Sequence, residues 1–231
     1  MANQLDLEEQ EQLDQLKHFW KQYGNAITWG LIVVLAAFAS WNFYQYWQRS
    51  QATQAAALFD EVERVVAAGD TAKIERVFSD MKDKFGATTY AQQAGLLVAR
   101  QLYGAGKPEP AKAALAWVAD KSTDEGYQAV AKLRLAGVLM EAKAFDEALQ
   151  QLNGPFPANF TALAADRKAD IFLLQGKKAQ AIAEYQKAFK SFDENTLYRR
   201  LVEVKLNSLG LEAGKGIEVG AAAATAEEGK K

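Results

Sequence analysis

The sequence predicts an all-α protein: a single N-terminal transmembrane helix followed by an α-solenoid of helical hairpins. Three observations carry that expectation. No charged residue occurs between Lys21 and Arg49. Beyond Arg49, apolar residues recur at helical spacing, and glycine or proline interrupts them at short intervals. Small residues then repeat in register, Ala99, Ala136 and Ala169 in one set of helices and Ala111, Ala148 and Ala181 in the next, so that both sets step along the chain by the same two offsets.

The uncharged stretch comes first. Its apolar part, Ala26 to Trp47, is 22 residues long, and a spanning helix needs roughly 20. Aromatic side chains mark both ends, with Trp20, Tyr23 and Trp29 at one and Trp41, Phe43, Tyr44, Tyr46 and Trp47 at the other. Rings with an apolar body and a polar edge suit the headgroup zone, so Trp20, Trp29, Trp41 and Trp47 are expected to be membrane-interface anchors. A buried core helix seldom runs this long without a charge. A cleaved signal peptide would begin with a basic segment and end at a small-residue cleavage site. Here most charges before the span are acidic.

Residues 1–25 hold five acids and two bases, which leaves +1 of the net −2 to the rest of the chain. A nearly neutral body offers no basic face for nucleic acid. Lys17 and Lys21 approach the span from one side and Arg49 from the other. That bias predicts a cytoplasmic N-terminal segment, 1–23, a transmembrane helix, 24–47, and an exported body.

Residues 48–86 read as connecting helices. Leu58, Phe59, Val62, Val65 and Val66 form one face that ends at Gly69, and Asp70 is placed to cap the next helix as far as Phe85. Three helix pairs follow within residues 87–210. Tyr90–Gly104 pairs with Pro108–Ala119 across a glycine stop and a proline start. Thr123–Ala142 pairs with Phe145–Leu152, and Ser122 to Glu125 has capping-box spacing. Gly154-Pro155-Phe156-Pro157 breaks the chain before Ala158–Gln175 pairs with Lys178–Ser191. A polar final helix, Glu194–Leu209, caps the array. Residues 211–231, rich in Ala, Gly, Glu and Lys, read as a disordered tail.

The pairs resemble the tetratricopeptide repeat, whose unit is about 34 residues. Gly176-Lys-Lys-Ala-Gln-Ala181-Ile-Ala-Glu-Tyr185-Gln-Lys-Ala188 carries the turn glycine and the Ala, aromatic and Ala of a second helix. The other two units are degenerate, and the first-helix Trp and Gly of that family are missing. A generic stack of helical hairpins is the alternative.

Reactive chemistry is sparse. His18 is the single histidine and precedes the span, and there are no cysteines. The body therefore lacks the usual acid–base, thiolate and metal-ligating side chains. Gly104-Ala-Gly106-Lys107 and Gly214-Lys-Gly216 lack the GxxxxGK[ST] pattern of a phosphate loop. Asp166 and Asp170 share a helix face, where a solvated face or pairing with Arg167 or Lys168 competes with a metal site. The expectation is no catalytic residue, no metal and no cofactor.

Contact is what a helical repeat stack offers, through the inner face of its first helices. In the repeat register that face carries Leu96, Arg100 and Tyr103, then Leu133, Gly137 and Met140, then Asp166, Asp170 and Leu173. These form a candidate polypeptide groove. The alternative is that several of them pack against a neighbouring or closing helix.

The whole pattern resembles the ancillary SecYEG translocon subunits, a family of Gram-negative bacterial membrane proteins. The likeness rests on the acidic start, on Lys17-His-Phe-Trp20-Lys-Gln-Tyr-Gly24-Asn, on Trp41-Asn-Phe-Tyr44-Gln-Tyr-Trp47, and on Ala94-Gly-Leu-Leu-Val-Ala-Arg100 and Ala131-Lys-Leu-Arg134-Leu-Ala136. It implies a single-pass inner-membrane protein with a periplasmic repeat domain. It also implies contact with the SecYEG translocon and the periplasmic chaperone PpiD, transfer of newly exported polypeptides to periplasmic chaperones, and a link to an envelope stress regulator. The expected role is a non-enzymatic adaptor. The alternatives are a structural scaffold that never touches client chains and an enzyme.

Overall fold

The structure is a computed structural model that describes residues 7–211, with side chains from residue 11 onward. The expected tail, beyond Leu211, and residues 1–6 of the expected cytoplasmic segment lie outside the described residues. Among the described residues there are nine helices and no strand. The chain divides into two compact units between Gln54 and Ala55.

The first unit is the leading part of helix α1, Leu7–Ala68. Among the described residues it is the one helix long and apolar enough to cross a membrane, and none of its apolar window is buried by protein. Trp20, Trp29, Trp41 and Trp47 are each at least half exposed. The polar side chains of the stretch bond back to its own backbone. Thr28 donates to the Gly24 carbonyl at 2.7 Å, Ser40 to Ala36 at 2.8 Å and Asn42 to Phe38 at 3.0 Å. Each finds its partner inside the helix, which lowers the cost of placing it in lipid.

The second unit holds the remainder of α1 from Ala55 onward, with α2 (Thr71–Phe85), α3 (Thr89–Gly104), α4 (Pro108–Lys121) and α5 (Glu125–Glu141). It continues with α6 (Phe145–Leu152), α7 (Ala158–Leu174), α8 (Lys178–Ser191) and α9 (Leu197–Ser208). One turn recurs along this row. Gly69, Gly106, Lys143, Gly176 and Gly210 all have positive φ. Each follows the last by about one repeat unit. At four of them the closure is the same. Lys107 N–H donates to the Leu102 carbonyl, Ala144 to Leu139, Lys177 to Phe172 and Leu211 to Leu206, between 2.8 and 3.2 Å. This six-to-one bond satisfies a carbonyl the helix end would leave bare.

That regular step reaches back into the residues expected as connecting helices. Residues 55–68 of α1 and α2 flank Gly69, whose turn shares the positive φ and closes differently: the Gly69 N–H donates to the Val65 and Val66 carbonyls, both at 3.1 Å. Ala55, Val62, Val65, Ile74, Phe78 and Met81 join the same buried cluster as Ala94, Val98, Leu102, Leu115 and Leu152. A second cluster gathers Ala165, Ala169, Ala181, Tyr185, Ala188, Val202 and Leu206.

Local chemistry sets the element ends. Asp70 accepts from Lys73 N–H at 3.2 Å and Thr88 from Ala91 N–H at 3.3 Å. The expected capping box at Ser122 does not form. Asp124 is the cap of α5, accepting from Gly126 and Tyr127 N–H at 2.7 and 3.0 Å, while Ser122 braces the Asp124 backbone. Two more residues of turn are used, so α5 starts at Glu125. α6 stops after eight residues, before Pro155 and Pro157. Gly95 lets three helices meet: a Cβ there would lie 2.4 Å from Val118 Cγ2 and 3.2 Å from Phe78 Cζ.

Candidate functional site: a recess on the inner helices

Successive first helices of the pairs, α3, α5 and α7, enclose a recess of about 400 Å³. α3 contributes Ala99, Arg100 and Tyr103, and α5 contributes Leu133, Arg134, Gly137, Val138 and Glu141. Leu115 of α4 and Arg167 of α7 complete it. The floor is apolar and the rim is charged. Gly137 keeps one wall bare, since a Cβ there would meet nothing within 4 Å.

Two cross-helix hydrogen bonds hold the α3 and α5 walls. The Tyr103 hydroxyl donates to the Glu141 carboxylate, and Gln93 Nε2 donates to the Tyr127 hydroxyl at 2.7 Å. The bond to Glu141 raises the Tyr103 hydroxyl above its ordinary pKa, with burial and the negative charge adding to it. Glu141 is the one acid on the recess. Arg100 and Arg134 are exposed and Arg167 is half-buried. Among the described residues no carboxylate lies within ion-pairing distance of these three arginines. The recess is thus a locally cationic patch on a nearly neutral body.

Of the expected groove residues, Arg100, Tyr103, Leu133 and Gly137 are brought together here. Leu96 is half-buried against Val118, Ala119 and Ala131 and faces that packing instead. Met140 is half-buried against the main core. Leu173 is 40% exposed outside the recess.

Asp166 and Asp170 do not face open solvent. α9 covers them, as the closing-helix alternative anticipates. Asp166 is 1% exposed. It accepts from Tyr198 Oη at 2.9 Å and from Lys205 Nζ at 2.8 Å. Asp170 accepts from Tyr185 Oη at 2.6 Å and from the same Lys205 Nζ at 2.7 Å. Their partner is therefore Lys205, and not the neighbouring Arg167 or Lys168. Burial pushes the Tyr198 hydroxyl up to about 12, with the Asp166 charge adding to it. Burial and the hydrogen bond to Asp170 push Tyr185 higher still. Among the described residues no group of three or more His, Cys, Asp or Glu side chains is placed to hold a metal ion.

The residues missed by sequence reasoning are Ala99, Leu115, Arg134, Val138, Glu141 and Arg167. Arg134 and Arg167 each stand two positions before a repeat alanine, Ala136 and Ala169, and that shared offset was the available signal.

The chain matches the family model described as tetratricopeptide repeat-like domain over residues 17–211. A protein of Neisseria gonorrhoeae named ancillary SecYEG translocon subunit is 32% identical over 204 residues, covering 88% of this chain and 98% of its own. Proteins of the same name from Escherichia coli and Haemophilus influenzae are 27% and 28% identical, again over 88% of this chain and 97% and 98% of theirs.

Proposed function

The chain belongs to the ancillary SecYEG translocon subunit family, with its tetratricopeptide repeat-like domain, and on that premise we propose that it is a membrane-tethered, non-enzymatic adaptor. Its span sits in the inner membrane with the N-terminus cytoplasmic and the repeat domain periplasmic. The domain receives newly exported polypeptides beside SecYEG and passes them to periplasmic chaperones, PpiD among them. A regulatory role in the envelope stress response would run through the same contacts.

The observation that supports this reading is the open recess on α3, α5 and α7, apolar at its floor and charged at its rim. A surface of that kind suits an extended polypeptide. Tethering raises the local concentration of the surface at a translocation pore, so weak contacts suffice. A photo-crosslinker in place of Tyr103 or Gly137 should capture exported chains during translocation, and the same probe at exposed Glu63 should not. Capture from both positions alike would sink the groove. Affinity purification in mild detergent, with and without residues 24–47, should recover SecYEG with the intact chain only.

A scaffold that binds through another face is the second reading, and α9 favours it. Leu197, Leu201 and Val204 form an exposed apolar stripe on that helix. Replacing the three with Ser separates the two readings, because a scaffold loses its complex while the adaptor keeps its Tyr103 crosslinks.

A further inference from the structure

We infer that the recess selects acidic polypeptide: an extended segment carrying Asp or Glu at about every third residue, with apolar residues between. The inference rests on the groove reading above and narrows it to a class of client. Arg100, Arg134 and Arg167 come from three successive first helices, α3, α5 and α7; Arg134 and Arg167 hold the same repeat position, and Arg100 lies about one turn further along its helix. None has a carboxylate partner within the described chain. Long-range attraction is not cancelled by Glu141, which is a single negative charge against three positive ones and already accepts from Tyr103.

A guanidinium presents a planar fork of donors that fits a carboxylate in two parallel bonds. Adjacent packed helices stand roughly 8–10 Å apart, and an extended chain advances about 3.3 Å per residue. Arg134 and Arg167, at one repeat position on adjacent helices, therefore meet acids about three residues apart, and Arg100 is offset along its helix within reach of the same chain's end. Between them the client lies over Leu133 and Val138, both half-buried, which take its apolar side chains. The absence of a Cβ at Gly137 leaves room for the backbone to pass.

The test is fluorescence anisotropy with the full chain in detergent micelles. The probe is an end-capped peptide of about nine residues, with Glu at every third position and Val and Thr between, which favours extension. Its counterparts carry Gln in place of Glu, one end-capped and one with a free C-terminal carboxylate. At low salt the Glu peptide should bind at least about tenfold more tightly than the capped Gln peptide, and the difference should shrink as salt screens it. The Arg134→Gln, Arg167→Gln double variant should remove that difference, and Arg200→Gln, on α9, should not. Gly137→Phe, which fills the recess and removes no charge, should weaken the Glu peptide as well. Thermal melts establish that each variant is folded.

Equal binding of the two capped peptides, both lost in Gly137→Phe, overturns the acidic preference and leaves the groove standing. Binding of the Glu peptide that survives the arginine variant in a folded protein also overturns the preference. So does a Gln peptide that binds as tightly as the Glu peptide once its end carboxylate is free, which would mean that chain ends are read. Absence of binding by every peptide overturns the groove together with the preference.

Discussion

Asp166 and Lys205 belong to different helices, α7 and α9, and their charged atoms stand 2.8 Å apart in the fold. The same ammonium reaches Asp170 at 2.7 Å and lies 5.2 Å above the Tyr185 ring. One lysine thus fastens α9 to α7 by two carboxylates. Removing one partner of a buried ion pair costs more than the pair contributes, because the remaining charge stays desolvated.

Lys205→Met should therefore lower stability by about 2–3 kcal/mol, less than a fully buried pair because the lysine keeps a quarter of its exposure. Urea melts followed by circular dichroism would measure it. A loss no larger than an exposed pair is worth, below about 0.5 kcal/mol, would show that the two acids find other partners.

Alkaline pH should release the same helix. Tyr198 titrates near 12 in the folded chain against an ordinary value of 10.0, and Tyr185 is shifted in the same direction. Their protons are held more tightly when folded, so the contribution is complete below about pH 10 and is lost as pH rises through the folded values. Stability should fall above pH 10, and the fall should be shallower in Tyr198→Phe. A pH-independent melting temperature between 9 and about 12 would contradict this.

Lys143 holds a left-handed turn with φ of 60° where the neighbouring turns use glycine. A side chain in that conformation costs about 1–2 kcal/mol, part of which glycine returns as unfolded-state freedom. Lys143→Gly should stabilise the chain by about 0.5–1 kcal/mol, and Gly106→Ala should destabilise it by about 1. A destabilising Lys143→Gly would mean that the lysine makes a contact that matters more than its backbone strain.

Gly95→Ala should cost about 1–3 kcal/mol, since its methyl would overlap Val118, a buried β-branched residue with little freedom to move. Gly95→Ala combined with Val118→Ala should recover part of the loss, and the pair of melts would reveal that coupling.

Helix starts and stops were written in the sequence where one residue decides them: Asp70 as a cap, Pro108 as a first residue, Gly106 and Gly176 as turns. Where the span gives way to the folded part is harder to read, because α1 runs on from the apolar stretch and no boundary marks the change. The step from Gly69 to Gly106, about one repeat unit long, is the sign that the regular spacing extends to α2. In the recess, the register placed Arg100, Tyr103, Leu133 and Gly137 together. It misplaced the role of Asp166 and Asp170 because their partners, Tyr198 and Lys205, lie on a helix whose polar residues read as a solvated cap. Periodicity tells which face a residue occupies and says nothing of what a later helix lays upon it.

The eight-residue α6 leaves its mark on how the row comes apart. Its neighbours α4 and α8 run to fourteen residues each. Beside this shortened rung the main buried apolar cluster, which includes Ile171, gives way to a separate one that holds Ala165 and Ala169 of the same helix. A linear array yields where adjoining members grip each other least. Under slow denaturation the ladder should part at α6, and hydrogen exchange would see α8 and α9 let go while α3 and α4 still hold.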